Sequence, residues 1–163
     1  MADPQSPPHA GVSFPPPFVY VAAFVAGLLL HREWPLTITG PGREDGRGAV
    51  LVAGMALLLA WLAFMISAFA MFWRAQTTII PNRPAAVLVT TGPYRISRNP
   101  MYLALALGYA GLALMLNRWW PIILLPIALI AIDRLVIARE EKYLANAFRD
   151  EFAAYSRQVR RWV

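Results

Sequence analysis

From Ala49 to Trp73 the chain runs for about 25 residues without a charged side chain. As a helix that is ~37 Å, more than the ~30 Å hydrocarbon core of a bilayer. No other segment constrains the fold as much, and it predicts a transmembrane helix. Composition agrees: 58% of residues are hydrophobic and 15% charged, with a mean hydropathy of +0.48. A soluble domain has roughly 45–50% apolar and ~25% charged residues. Both displacements argue against a water-soluble globule and against disorder. One integral membrane domain over residues 1–163 is expected at this length.

What the chain lacks removes whole classes of chemistry. Without cysteine there is no disulfide framework, thiolate metal site or cysteine nucleophile. His9 and His31 are the only imidazoles, which leaves a histidine metal centre or a Ser-His-Asp triad hard to build. No metal site is expected. Neither a P-loop nor a dinucleotide-binding glycine fingerprint is present. Fifteen basic against nine acidic residues give a formal charge of +6. In so apolar a chain this excess reads as the positive-inside bias of membrane proteins, not as a nucleic-acid surface.

Residues 1–17 are rich in proline and small side chains and are expected to form a flexible lead-in. Phe18 to Leu30 is apolar and closed by His31-Arg32-Glu33-Trp34; with its flanks it makes a short span of about 17–20 residues, with Arg32 and Trp34 as interfacial anchors. Thr37 to Gly48 reads as a polar hairpin loop, with Pro41-Gly42 and Asp45-Gly46 as turn signals. After the Ala49–Trp73 span, the stretch from Arg74 to Pro100 holds four arginines, four prolines and no acid, the kind of long connection that carries function or is disordered. Its apolar triplet Val87-Leu88-Val89 is expected to pack against the protein. Met101 to Leu116 is a third span, in which Gly108 and Gly111 permit close helix approach. Asn117-Arg118 makes a tight turn, and Trp119-Trp120-Pro121 opens a fourth span reaching Ala138. From Arg139 to Val163, apolar residues recur at spacings of three and four between charges, the pattern of an amphipathic helix too polar to span.

The expected fold is therefore all-α and polytopic, with about four transmembrane helices and both termini on one side. The third and fourth helices form a hairpin, so the loop from Arg74 to Arg98 and the tail after Arg139 share a face. Together they hold most of the arginines, which makes that face cytoplasmic, and a bacterial inner membrane is the expected location.

Polar groups stand out against this background. Glu140-Glu141 reads equally as helix-surface charge or as a pair of functional carboxylates, since neighbours on a helix face different ways. Arg98-Asn99-Pro100 reads by itself as a positive anchor before a helix start. Asp133 and Arg134, near the inner end of the last span, pair with each other, snorkel to the interface or meet substrate.

A family resemblance weighs these alternatives. Val89-Thr90-Thr91-Gly92-Pro93-Tyr94-Arg95-Ile96-Ser97-Arg98-Asn99-Pro100-Met101-Tyr102 resembles the signature of the isoprenylcysteine carboxyl methyltransferases, parts of which the related phospholipid N-methyltransferases share. Arg139-Glu140-Glu141-Lys142-Tyr143-Leu144 is similar to their Glu-Glu-x-x-Leu element, and Phe148, Tyr155 and Val159 to the apolar positions beyond it. The likeness covers Ala85 to the C-terminus and implies a cofactor-binding core over 85–163. It also implies a C-terminal amphipathic helix that closes a cytoplasmic-face pocket for S-adenosylmethionine. Carried across, Ala86, Val87, Leu88 and Val89 line the cofactor. Tyr94, Arg98, Asn99, Pro100, Met101 and Tyr102 complete the pocket, and Glu140 closes it, with Glu141 beside Arg98. Arg134, Arg139 and Glu141 are the candidate catalytic residues.

Three positions depart from the family pattern. Asn99 stands where histidine is usual, and asparagine cannot act as a base near neutral pH. Val136 occupies the place of the arginine that receives a prenylcysteine carboxylate, leaving Arg134 or Arg139 to substitute. Phe148-Arg149 replaces Phe-Gly. The resemblance implies methyl transfer to a small lipophilic or lipid-anchored substrate, in contact with membrane lipids and without nucleic acid. An acidic substrate favours Arg134 or Arg139 as its clamp; an amine favours Asp133 or Glu141. Carboxyl O-methylation, amine N-methylation and thiol S-methylation all remain open. A non-catalytic scaffold of the same fold, or a small transporter subunit, are the rivals from other classes. The transporter is disfavoured by the absence of an ionisable residue at depth in any span but the last.

Overall fold

The computed structural model describes residues 14–40, 44–74 and 87–163, with the backbone alone at 44, 45, 72 and 74. The named elements among them are all helical: α1 (Pro17–Glu33), α2 (Glu44–Arg74), a 3-10 turn (Gly92–Arg95), α3 (Pro100–Met115), α4 (Trp119–Ile132), a π-helical turn (Asp133–Ile137) and α5 (Ala138–Gln158). Pro17 and Pro100 open α1 and α3, where the missing N–H would have no intrahelical acceptor in any case.

Among the described residues, two helices are long and apolar enough to cross a bilayer: Gly46–Met71 within α2, and Trp119–Gln158, in which α4, the π turn and α5 run on without a break. α3 is apolar but shorter, and α1 has 17 residues. The 40 residues of Trp119–Gln158 amount to about 60 Å, twice the hydrocarbon thickness. Its apolar first part can cross, whereas the charged, amphipathic α5 lies beyond the spanning segment.

Three boundaries differ from expectation. Residues Glu44 to Gly48 belong to α2 and not to a hairpin loop, so Asp45-Gly46 is not a turn; Pro41-Gly42 lies outside the described residues. Two acidic residues suit the positive end of a helix as well as they suit a turn, and the charge-free run behind them extends the helix through them. The fourth span and the amphipathic segment, expected as separate pieces, are one helix. They join through the π turn, where the Ala138 N–H reaches the Asp133 carbonyl. Finally, α5 stops at Gln158 and Val159 turns extended, so Val159 and Trp162 are not helical.

The chain packs as two compact units. One comprises Pro16–Ala63 and Ala104–Ala131. Here α2 and α3 cross at two glycines: a Cβ on Gly54 would lie 3.1 Å from the Gly111 carbonyl oxygen, and one on Gly111 would lie 3.0 Å from that of Gly54. Gly108 faces the Trp61 indole just as closely. Small residues thus bring the two backbones together, as membrane helices commonly do. Tyr109 packs edge-on against Phe24, with ring centroids 4.9 Å apart, and against Tyr20 at 6.3 Å. The segment after α1 meets the turn after α3. Asn117, at φ 57°, accepts from the Thr39 N–H at 2.9 Å and from its hydroxyl at 3.2 Å, while the Trp120 indole donates to the Trp34 carbonyl at 2.7 Å.

The other unit contains Phe64–Leu103 and Ile132–Val163. Its core is Ala68, Tyr94, Phe152 and Tyr155, with Leu88, Val89, Met101, Leu144, Phe148 and Val159 packed around them. Of the expected apolar triplet, Leu88 and Val89 pack, whereas Val87 is half exposed.

Candidate active site

The site is built on the turn ahead of α3. Gly92 has φ +61°, and a Cβ there would meet the Met71 side chain at 3.0 Å; glycine admits both the backbone angle and the contact. The turn places Tyr94 in the core, where its carbonyl accepts from the Tyr155 hydroxyl at 2.6 Å. Burial pushes the Tyr94 phenol far above its ordinary value, with the neighbouring Tyr155 and Glu140 adding to it. Burial likewise raises Tyr155 to about 12, against the opposing charge of Arg98.

Between the turn and α3, residues 97–99 are stitched to the extended tail. The Arg98 N–H donates to the Arg160 carbonyl at 3.0 Å. The Ser97 hydroxyl and the Asn99 amide donate to the Arg161 carbonyl at 3.1 and 3.0 Å. Ser97 Oγ also accepts from the Asn99 N–H at 3.1 Å. Asn99, buried in the position where the family resemblance has histidine, therefore ties down the tail.

Successive residues on a helix point about 100° apart, and the two carboxylates of α5 diverge accordingly. Glu140 accepts from the Tyr102 hydroxyl at 2.8 Å. Glu141 lies 3.0 Å from Arg98 and also pairs with Arg161. Arg161 reaches on to Asp133 at 3.1 Å, and the Trp162 indole donates to Asp133 at 3.3 Å. The result is a chain of alternating charge, Arg98–Glu141–Arg161–Asp133, whose formal charges cancel. Arg98 also sits 5.9 Å from the centroid of the Phe152 ring, within cation–π range. Its Nε is buried, and among the described residues it has no hydrogen-bond acceptor. Glu140, on α5 beyond the spanning segment, is raised to about 7. Burial is the main cause, the Tyr102 hydrogen bond opposes it, and the charge of Glu141 adds to it.

The structure thus gathers Leu88, Val89, Tyr94, Arg98, Asn99, Pro100, Met101, Tyr102, Glu140 and Glu141 into one unit. Ala86 lies outside the described residues. Arg134 and Arg139 are exposed and stand outside the ion-pair chain. Val136 is fully buried. Asp133 pairs with Arg161 and not with Arg134, its helix neighbour pointing elsewhere. Sequence reasoning missed Ser97, Arg161 and Trp162. The two tail residues continued the helical spacing of α5, so they read as part of its faces. Among the described residues no group of three or more His, Asp or Glu side chains is placed to hold a metal ion.

Comparison with known proteins fits this geometry. The phospholipid methyltransferase family matches residues 48–151, which take in α3, α4, the turn carrying Tyr94 and both glutamates of α5. The cobalt-zinc-cadmium resistance protein CzcN of Cupriavidus metallidurans is 34% identical over 142 residues, 81% of this chain and 63% of that relative. The chain therefore spans less than two thirds of that relative's length. An uncharacterized protein of Haemophilus influenzae is 39% identical over 66 residues, all of its own length and 39% of this chain. No solved structure matches. With more than half of the chain matched, and with a helix long and apolar enough to cross a membrane running into the matched carboxylates, the protein belongs to the phospholipid methyltransferase family of membrane methyltransferases.

Proposed function

We propose that the protein is an S-adenosylmethionine-dependent methyltransferase of the bacterial inner membrane that acts on a small lipophilic or lipid-anchored substrate. In this reading the chain makes four spans, α1 to α4. The arginine-rich loop and the tail lie on the cytoplasmic side, and α5 closes a cofactor pocket there. The observation that carries the reading is the Tyr102–Glu140 hydrogen bond, because it joins the two halves of the sequence signature.

The donor set suits such a cofactor. Among the described residues the buried Nε–H of Arg98 has no acceptor, and a ligand carboxylate would supply one. Glu140, with Tyr102 as its hydrogen-bond donor, can accept from an ammonium or from ribose hydroxyls. Tyr94 and Met101 present apolar surface to an adenine, alongside Val87, Leu88 and Val89. Asn99 and Pro100 hold the start of α3 in place. When bound, S-adenosylmethionine supplies a methyl group on a sulfonium for in-line displacement. The protein contributes alignment and the exclusion of water, effects that reach ~7–11 kcal/mol in ideal cases. Glu141 keeps Arg98 oriented. Arg134 and Arg139, both exposed, are available to the polar end of a substrate whose chain stays in lipid. O-methylation, N-methylation and S-methylation are all compatible with these groups.

Calorimetric titration of the detergent-purified protein with S-adenosylhomocysteine tests the proposal: saturable binding is expected, and no binding at millimolar ligand would overturn it. Labelling membranes with methyl-tritiated cofactor then sorts the product. A volatile base-released label marks an ester, and a base-stable one marks N- or S-methylation.

A further inference from the structure

Arg161 holds the tail in two separate ways. Its carbonyl accepts from Ser97 and Asn99, which, beside the Arg98–Arg160 backbone bond, docks the extended segment. Its guanidinium does something else: it bridges Glu141 to Asp133. We infer that Arg161 is a positioning residue for the cofactor site, tying Glu141 to Asp133 so that Glu140 is the one site carboxylate left to answer a cationic ligand. The inference rests on the reading of Glu140 as a cofactor contact.

Among the described residues, the titratable groups facing Glu140 are Tyr94 from the 3-10 turn, Tyr102 from α3 and Glu141 on its own helix. Tyr94 stays neutral through the physiological range because burial raises it, and Tyr102 acts as a hydrogen-bond donor. Glu141 is therefore the neighbour whose charge opposes ionisation of Glu140. Two arginines compensate that charge, Arg98 from the segment ahead of α3 and Arg161 from the tail. Without Arg161, one compensating charge is gone and the Glu141 side chain is free to swing toward its neighbour, so Glu140 ionises at higher pH.

The test is calorimetric binding of S-adenosylhomocysteine between about pH 6 and 9, beside direct titration of the Glu140 carboxyl by infrared spectroscopy. In Arg161→Gln the midpoint at which affinity rises should move up by about one pH unit, with alkaline affinity kept. Arg161→Lys should stay near the wild type, and Arg161→Gln combined with Glu141→Gln should bring the midpoint back down. Glu141→Gln alone, which leaves the tail residue intact, should lower it. A uniform loss of affinity at every pH in Arg161→Gln would reduce Arg161 to a tail anchor and overturn the inference, as would an unmoved midpoint in Glu141→Gln. If the wild type binds no cofactor analogue, the cofactor reading falls, while the infrared titration still decides whether Arg161 sets the ionisation of Glu140.

Discussion

Tyr102 and Glu140 are 38 positions apart, yet the phenol of one donates to the carboxylate of the other at 2.8 Å. The first turn of α3 and the first turn of α5 are thereby clasped. If the pair receives the cofactor, Tyr102→Phe should weaken S-adenosylhomocysteine binding about tenfold, the loss of a hydrogen bond worth roughly 1–2 kcal/mol, and Glu140→Ala should weaken it more. Helical content and folded yield should stay at wild-type levels in both. Equal loss of folded protein would instead assign the pair to structure.

On the proposed reading, the same glutamate should make cofactor binding depend on pH. Its folded value, about 7, lies above the ordinary 4.5. The neutral form is therefore favoured in the fold, and whatever stability the group contributes is fully present below about pH 4.5 and lost as pH rises through 7. A cationic ligand group beside it favours the ionised form. Affinity should accordingly rise from pH 6 to pH 8, with release of up to about one proton below pH 7. Titrations in buffers of differing ionisation heat measure that proton directly, and affinity flat across the range would refute a charge role for Glu140.

Much of this architecture was legible in the residues. Long charge-free runs can satisfy their backbone only as helices in lipid, Pro17 and Pro100 mark where α1 and α3 begin although Pro126 lies inside α4, and Asn117 occupies a left-handed turn that suits it. The divergence of Glu140 and Glu141 follows from helical geometry alone. The end of α5 was not legible. Val159 and Trp162 continue the apolar spacing, so nothing local marks where the backbone straightens; the cause is tertiary, in the carbonyls of Arg160 and Arg161 that meet residues 97–99. The partner of Asp133 was hidden for the same reason, since Arg161 reaches it only because the tail turns back. Arg134, adjacent in sequence, is on another face of the helix.

Arg149 interrupts α5 with φ 35° and ψ −106°, a region that glycine enters freely and other residues enter at a cost of about 1–3 kcal/mol. The family resemblance has glycine at this position. Arg149→Gly should relieve the strain while losing the side chain, and Arg149→Ala should lose the side chain while keeping the strain. The glycine variant should therefore be the more stable of the two by about 1–3 kcal/mol. Thermal unfolding in detergent compares them, and an alanine variant as stable as the glycine one would show that the kink is unstrained.

Close helix approach gives the sharpest steric prediction. A Cβ at Gly27 in α1 would lie 2.7 Å from the Pro121 nitrogen and 2.8 Å from its Cα. Both are backbone atoms, so no rotamer change can relieve the overlap and α1 must shift bodily from the start of α4. Gly27→Ala should destabilise by about 1–3 kcal/mol. At Gly54 the nearest atom is the Gly111 carbonyl oxygen at 3.1 Å, with the Met115 and Leu114 side chains next. Part of that contact can adjust, so Gly54→Ala should cost less. Gly48 meets nothing within 4 Å and lies in the second turn of α2. Its alanine variant should be neutral or gain up to about 1 kcal/mol from helix propensity. Unfolding midpoints in detergent should rank Gly48→Ala above Gly54→Ala above Gly27→Ala; if Gly27→Ala unfolds with the wild type, α1 does not pack against Pro121.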